Sequence, residues 1–145
     1  FGSFASSGSS DSTSDIFNEF GAGRRDISAL RNYIKKLYHQ TPNKLKYVLM
    51  LGSGSFDYRS NVDNNTNYVP IYQSKESLDP VDTYSSDDFF AFMDANEGVW
   101  EEDGSNNDQM DLGIGRIPCR TLEEANNIVD KIIKSGLDLN DSVKR

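Results

Sequence analysis

The chain has 145 residues, 36% of them hydrophobic and 11% aromatic, which suits one domain with a modest core or one half of a larger domain. Fifteen basic against 23 acidic residues give a net charge of -8, which argues against nucleic acid and anionic membranes as partners because both attract positive patches. No apolar run approaches the roughly 18 residues of a membrane span. A single cysteine excludes an internal disulfide.

The first fifteen residues are mostly serine and glycine, which is typical of a flexible linker with little fixed structure. We expect an α/β subdomain over residues 16–136 and a tail over 137–145. Within the subdomain, apolar residues recur at helical spacing over 27–40, with Asp26 as a plausible N-cap.

Residues 47–51 form a near-continuous apolar run, which predicts a strand over 45–51 that is buried on both faces, as in a parallel sheet covered by helices. Residues 67–72 predict a second strand, with Pro70 favouring an edge position. Ser86 or Asp87 is placed to cap a short helix rich in aromatic residues.

Residues 110–114 predict a third strand. A helix follows at 122–135, begun by a capping box at Thr121 and Glu124 and ended at Gly136. Parallel strands need crossover connections, and the sequence supplies helical ones. We therefore expect the strands at 45–51 and 110–114 to be parallel neighbours or near neighbours, with the helices at 27–40 and 122–135 packed on the sheet.

The glycine-rich stretch 52–55, GSGS, is similar to a phosphate-binding loop but lacks the third glycine and an immediate helix, so a plain turn is favoured. The only histidine, His39, sits near a helix end and is interpreted as a surface residue. Cys119 precedes a helix N-terminus, but no histidine is placed to activate it, so we interpret it as a packing residue.

An acidic loop spans residues 94–108, and its oxygen-rich side chains are candidate ligands for Ca²⁺. The candidate ligands are Asp94, Asn96 and Asp108, although their spacing is not that of an EF-hand and a solvated loop is the alternative. Asp87 and Asp88 are interpreted as a helix start rather than a carboxylate dyad. We expect no other metal and no organic cofactor.

Five ordered segments carry a resemblance that covers about residues 16–134. They are FNEFGAGRRDISALRNYIKKLY, KYVLMLGSGSFDYRSN, NYVPIYQSKES, YSSDDFFAFMDANEG and MDLGIGRIPCRTLEEANNIVDKII. Together they resemble the first half of the catalytic domain of the gingipain family of cysteine peptidases, with a closer likeness to the type IX secretion sortase branch. Ser53 departs from the family pattern, which has aspartate between the two glycines.

The resemblance implies a caspase-like, three-layer α/β/α fold with a mainly parallel sheet of three to four strands. In this family the catalytic His and Cys lie in a second subdomain, downstream of the matching segment, so the resemblance transfers no catalytic residue to this chain. It implies an N-terminal subdomain that scaffolds that catalytic half, in a secreted or cell-surface cysteine endopeptidase that hydrolyses peptide bonds or processes proteins as a sortase. The isolated chain is expected to be inactive.

Two other functions remain open at this point. A gingipain-like module that only binds a partner would lack the downstream His and Cys. A flavodoxin-like nucleotide-binding domain would need the phosphate fingerprint that residues 52–55 do not complete.

Overall fold

A computed structural model of the chain describes residues 3–6, 9–40, 45–57, 61–74, 84–95, 97 and 109–143. Three helices are present in this part: α1 (Thr13–Phe20), α2 (Ile27–Gln40) and α3 (Leu122–Val143), with a short 3₁₀ helix at Asp88–Ala91. Six strands accompany them: β1 (Ser3–Ser6), β2 (Ser9–Ser12), β3 (Tyr47–Leu51), β4 (Tyr72–Gln73), β5 (Ser85–Ser86) and β6 (Gly113–Ile117).

The main sheet has four strands in the order β2-β1-β3-β6. Its central pair, β3 and β6, is parallel, and Tyr47 lies opposite Gly113 while Leu51 lies opposite Ile117. The predicted α/β class and the parallel pairing of these two strands are therefore confirmed. β6 begins three residues later than the predicted third strand at 110–114 and continues to Ile117, because Gly115 lies within the strand rather than beyond its end.

Gly113 in β6 leaves room for the ring of Tyr47 on the neighbouring strand, which a side chain at this position would displace. A Cβ at Gly113 would stand 2.6 Å from Cδ1 of Tyr47, so the tyrosine ring lies over the glycine backbone. A large side chain that covers a cross-strand glycine makes up for the packing that the glycine lacks.

The expectation of little fixed structure at the N-terminus is wrong for residues 3–6 and 9–15. β1 pairs antiparallel with both β2 and β3. The Ser12 hydroxyl then caps α1 by accepting from the Asp15 backbone N–H at 3.2 Å. The serine- and glycine-rich composition predicted a flexible linker wrongly, because the edge of β3 pairs with an added strand through backbone groups, whatever side chains that strand carries.

The core lies on one face of the sheet, under α1 and α2. Both Val48 and Met50 point into it from β3, and the buried side of α2 meets them as predicted. The 3₁₀ helix adds Phe89 and Phe90. The buried cluster consists of Ile16, Phe17, Ala29, Leu30, Ile34, Leu45, Val48, Met50, Val69, Phe89, Phe90, Ala91, Met93 and Leu112.

The prediction that the strand at 45–51 is buried on both faces is wrong for the described part of the chain, where the opposite face of β3 is uncovered. Tyr47 is 75% exposed and Leu49 is 41% exposed. The prediction that residues 122–135 pack on the sheet is wrong for most of α3. Ala125 is buried and Ile128 is half-buried, but the other four apolar residues of the stripe are exposed by 41–62%: Leu122, Val129, Ile132 and Ile133. No helix within the described ranges is long and apolar enough to cross a membrane.

Two predicted elements differ in extent from those observed. Of residues 67–72, only Tyr72 is in a strand, which pairs with β5 in a separate two-stranded sheet. Pro70 precedes it and has no N–H to donate to a strand partner. Gly136 does not end α3, which continues to Val143, since one glycine inside a helix costs only about 1 kcal/mol.

Candidate functional site at the carboxyl edge of the sheet

The parallel strands β3 and β6 end at the same edge of the sheet, and the two segments that follow them remain joined by backbone hydrogen bonds. The N–H of Gly52 donates to Ile117 O at 2.9 Å, and that of Ser53 donates to Cys119 O at 3.0 Å. Gly52 has φ +140°, a conformation that side chains rarely allow. The glycine after β3 thus turns the chain directly into this edge.

Ser53 holds the following loop against the edge. Its carbonyl accepts from the N–H groups of Tyr68 and Val69 at 2.9 and 3.1 Å, and its hydroxyl donates to Thr66 O. The N–H of Ser55 donates to Asn67 Oδ1 at 3.1 Å. Because no helix begins after residues 52–55 and the amides of Gly52, Ser53 and Ser55 are all bound within the protein, this loop does not form a phosphate cradle.

Asp57 organises the far side of the same loop. Its carboxylate accepts from Asn61 Nδ2 at 3.1 Å and from the Val62 N–H at 2.7 Å. The acidic residue at the end of the strand-glycine motif therefore has a structural role, because an aspartate that binds backbone N–H groups a few residues on fixes a turn.

Arg116 is the central polar residue of this edge, and no sequence pattern indicated its role. Its Nε and Nη2 form a bidentate ion pair with Asp87, at 2.8 and 2.7 Å. Its Nη1 donates to Gly52 O at 3.0 Å and to Val69 O at 2.7 Å, and Nη2 also reaches Pro70 O at 3.4 Å.

The Arg116 side chain is only 10% exposed and that of Asp87 only 19%. One guanidinium thereby joins the end of β3, the 67–70 segment and the residue that begins the 3₁₀ helix, using the planar fork that lysine lacks. The available sequence signal was an arginine within a strand otherwise built of glycine and isoleucine. Asp87 was correctly placed before the short helix, but its carboxylate binds Arg116 and does not cap that helix.

His39 and Cys119 lie at opposite edges of the sheet. His39 is exposed in the last turn of α2, which leads into the start of β3, whereas Cys119 follows the end of β6 and is fully buried. Five residues of strand separate the two edges, about 16 Å at strand rise. The geometry therefore does not bring this thiol and this imidazole together.

The described part of the acidic loop is fixed by one carboxylate. Glu97 accepts from the N–H groups of Asp94 and Gln109, at 2.9 and 3.3 Å. Asp94 is exposed, and its carbonyl accepts from Lys35 Nζ at 2.9 Å. Asn96 and Asp108, the other two predicted calcium ligands, lie outside the described residues, so calcium binding here stays a prediction.

Tyr33 has a clearly perturbed ionisation. Burial, then its hydrogen bond to Asp11, then the negative charges of Asp11 and Glu19 raise the pKa of the Tyr33 phenol above its ordinary value. This contact ties α2 to β2.

The comparisons with known proteins agree with this geometry. The sequence profile of peptidase family C25 matches residues 11–143. In a solved structure, the crystal structure of dimeric latent PorU from Porphyromonas gingivalis, a region superposes with a TM-score of 0.62 at 23% sequence identity. That superposition covers 83% of this chain and 12% of the PorU chain, so the chain spans about an eighth of that protein's length. No curated protein matches.

The superposition shows a shared α/β fold, and the profile match extends from the end of the N-terminal hairpin to the end of α3. The match therefore includes β3, the Arg116–Asp87 pair and the whole carboxyl edge. On these grounds the chain belongs to peptidase family C25, the gingipain family.

Proposed function

We propose that this chain is the N-terminal subdomain of a gingipain-like cysteine endopeptidase of the type IX secretion sortase kind. A downstream subdomain of the same polypeptide would carry the catalytic His and Cys. Membership of family C25 supports the peptidase assignment, and the small share of PorU that the chain covers supports a subdomain of a larger protein. An extracytoplasmic or cell-surface location is part of this proposal.

One observation carries the proposal: the open edge of β6 and the apolar stripe of α3 both lack a cover in the described part of the chain. β6 is the last strand in the sheet order. Gly113 donates to Lys46 O and Ile117 accepts from Gly52 within the β3 pairing, so strand alternation turns the backbone groups of Ile114 and Arg116 to the open edge. An open edge of this kind is a template for another strand.

The apolar stripe of α3 adds to this surface. Ile132 and Ile133 are each 55% exposed and Leu122 is 62% exposed. Monomeric proteins rarely leave large contiguous apolar patches in water, and a strand–crossover–strand unit packs its helix on the next strand of the sheet. A downstream subdomain that adds strands beyond β6 would cover the edge and the stripe together.

In the complete protein this chain would act as a scaffold. The downstream cysteine thiolate would attack the peptide carbonyl and the histidine would transfer the proton, as nucleophile and base within hydrogen-bond reach of each other. This chain would hold the shared sheet rigid at its carboxyl edge through Arg116, because a catalytic dyad needs its neighbours fixed to within a fraction of an ångström.

A gingipain-like interaction module without catalysis is the second candidate. The same exposed surface of β6 and α3 favours it equally, since a separate partner protein would bury the same groups. The downstream sequence distinguishes the two candidates, because the peptidase requires a His and a Cys that each follow an apolar strand.

The test expresses the polypeptide encoded directly after this chain as a separate protein and mixes the two. We expect association and thiol-dependent hydrolysis of a peptide library by the mixture, with no hydrolysis by this chain alone. The double substitution Ile132→Asp/Ile133→Asp should weaken association at least tenfold, whereas Lys131→Ala/Lys134→Ala on the same helix should leave it unchanged. Association without hydrolysis would favour the interaction module, and a lack of association would refute the scaffold.

A further inference from the structure

A cleft lies at the start of α2, and two of its lining residues, Asn67 and Pro70, also make contacts at the carboxyl edge. It has a volume of about 420 Å³ and is lined by Arg24, Arg25 and Asp26 from the turn before α2, and by Asn67, Ile71 and Gln73 from the opposite segment. Ile27 and Pro70 complete its apolar side. A second cleft of about 370 Å³ adjoins it, and Arg25 lines both.

The cleft is positively charged within an acidic chain. Its two guanidinium groups and one carboxylate leave one net positive charge, whereas the whole chain carries -8. The guanidinium groups of Arg24 and Arg25 are exposed and have no hydrogen bond or ion pair within the described ranges. Asp26 does not neutralise them by direct contact; its Oδ1 accepts from the Ser28 N–H at 2.8 Å, at the first turn of α2.

A buried amide in the same cleft has a donor without an acceptor among the residues that the structure describes. Asn67 is only 5% exposed, and its Oδ1 accepts from the Ser55 N–H at 3.1 Å. Its Nδ2 makes no hydrogen bond to any residue that the structure describes. A buried N–H₂ group without an acceptor costs free energy, so a bound acceptor in the cleft would be favoured.

We propose that this cleft binds the carboxylate of an acidic peptide segment. A carboxylate can accept from a guanidinium fork and from the Asn67 amide together, and a single negative charge matches the single net positive charge of the cleft. A phosphate would bring a charge of about -1.5 to -2 and match less well. The apolar wall of Ile27, Pro70 and Ile71 would contact the neighbouring side chain of the peptide.

This inference concerns the chain itself and does not depend on the downstream subdomain. The two proposals therefore fail separately. The peptide site lies at the start of α2, whereas the proposed scaffold surface consists of the open edge of β6 and the stripe of α3.

The test is an NMR titration of the chain with the blocked pentapeptide acetyl-Ala-Leu-Glu-Leu-Ala-amide, with the same peptide carrying Gln for Glu, and with inorganic phosphate. We expect saturable shifts of the Asn67 side-chain amide with the Glu peptide, and affinity at least about tenfold lower for the Gln peptide. Phosphate should bind more weakly than the Glu peptide.

Two double substitutions test whether the peptide binds in this cleft. Arg24→Gln/Arg25→Gln should lower the affinity for the Glu peptide at least about tenfold, whereas Lys131→Gln/Lys134→Gln removes two exposed charges from α3 and should leave it unchanged. Equal affinity for the Glu and Gln peptides, no titration at all, or an unchanged affinity in the arginine variant would overturn the site. Tighter binding of phosphate than of the Glu peptide would overturn the choice of a peptide carboxylate.

Discussion

Removal of the Arg116 guanidinium should be among the most damaging single changes in this fold. In Arg116→Ala, Asp87 loses both hydrogen bonds of its bidentate pair, at 2.7 and 2.8 Å, and the carbonyls of Gly52 and Val69 each lose a donor. The side chains of the pair are 10% and 19% exposed, so solvent replaces these bonds poorly.

Loss of one partner from a buried ion pair costs about 3–5 kcal/mol. A domain of this kind has a total stability of about 5–15 kcal/mol, so Arg116→Ala should remove a large share of it. The Lys36–Glu19 pair is the matched control: its atoms are 2.8 Å apart, but the side chains are 42% and 61% exposed. Lys36→Ala should therefore cost only about 0–1 kcal/mol.

Urea unfolding of the variants measures these costs. In a double-mutant cycle with Asp87→Ala, the double variant should be more stable than the sum of the single effects predicts, by about 1–3 kcal/mol. If Arg116→Ala does not fold, Arg116→Lys supplies an intermediate case, since lysine keeps the charge and loses the fork. A cost for Arg116→Ala within 1 kcal/mol of that for Lys36→Ala, or an additive cycle, would refute the reasoning.

Four further outcomes are expected. Because the folded state raises the pKa of the Tyr33 phenol, the chain should lose stability as the pH rises above about 10, and Tyr33→Phe should reduce that loss in urea melts at alkaline pH. Gly21→Ala should destabilise by roughly 1–3 kcal/mol, since its Cβ would lie 2.6 Å from a backbone oxygen, whereas Gly136→Ala, with open space around it, should stabilise α3 by about 1 kcal/mol in the same assay. Cys119, fully buried, should react with a thiol reagent only when the chain unfolds. If the loop that begins at Asp94 binds calcium, millimolar calcium should raise the thermal midpoint relative to chelator, by an amount equivalent to about 2.7 kcal/mol at a hundredfold excess over Kd.

Each of these has a contrary result. An identical alkaline loss in Tyr33→Phe would remove Tyr33 as its source. If Gly21→Ala and Gly136→Ala changed the free energy of unfolding in the same direction, the local geometry at one of the two glycines would be contradicted. Rapid labelling of Cys119 in the native chain would show that the thiol is accessible, and identical midpoints with and without calcium would leave the loop at Asp94 as a solvated loop.

The elements with a strong apolar pattern were predictable from sequence. Residues 27–40 form a helix with the predicted bounds, and the apolar run before Gly52 is the strand that pairs in parallel with β6. These succeed because helical periodicity and an unbroken apolar run depend on side chains within one segment. The resemblance to the gingipain family was also correct, since it rested on several ordered segments rather than on one motif.

The features that depend on distant partners were missed. Nothing in the composition of residues 3–6 and 9–12 predicts that they extend the sheet at β3, because that pairing uses backbone groups. The ion pair of Arg116 with Asp87 joins residues 29 positions apart and could not be found by periodicity. The apolar stripe of α3 predicted a helix packed on the sheet, but most of that stripe is exposed in the described part of the chain, because a helical pattern does not say which surface would cover it.

Hydrogen exchange at the edge of β6 tests the central claim, that a downstream subdomain completes this sheet. The amides of Ile114 and Arg116 point to the open edge and should exchange rapidly in the chain alone. In a polypeptide extended through the downstream subdomain they should become protected, while the amide of Gly113, already bound to Lys46 O, should keep its protection. Equally fast exchange of Ile114 and Arg116 in both proteins would contradict the account.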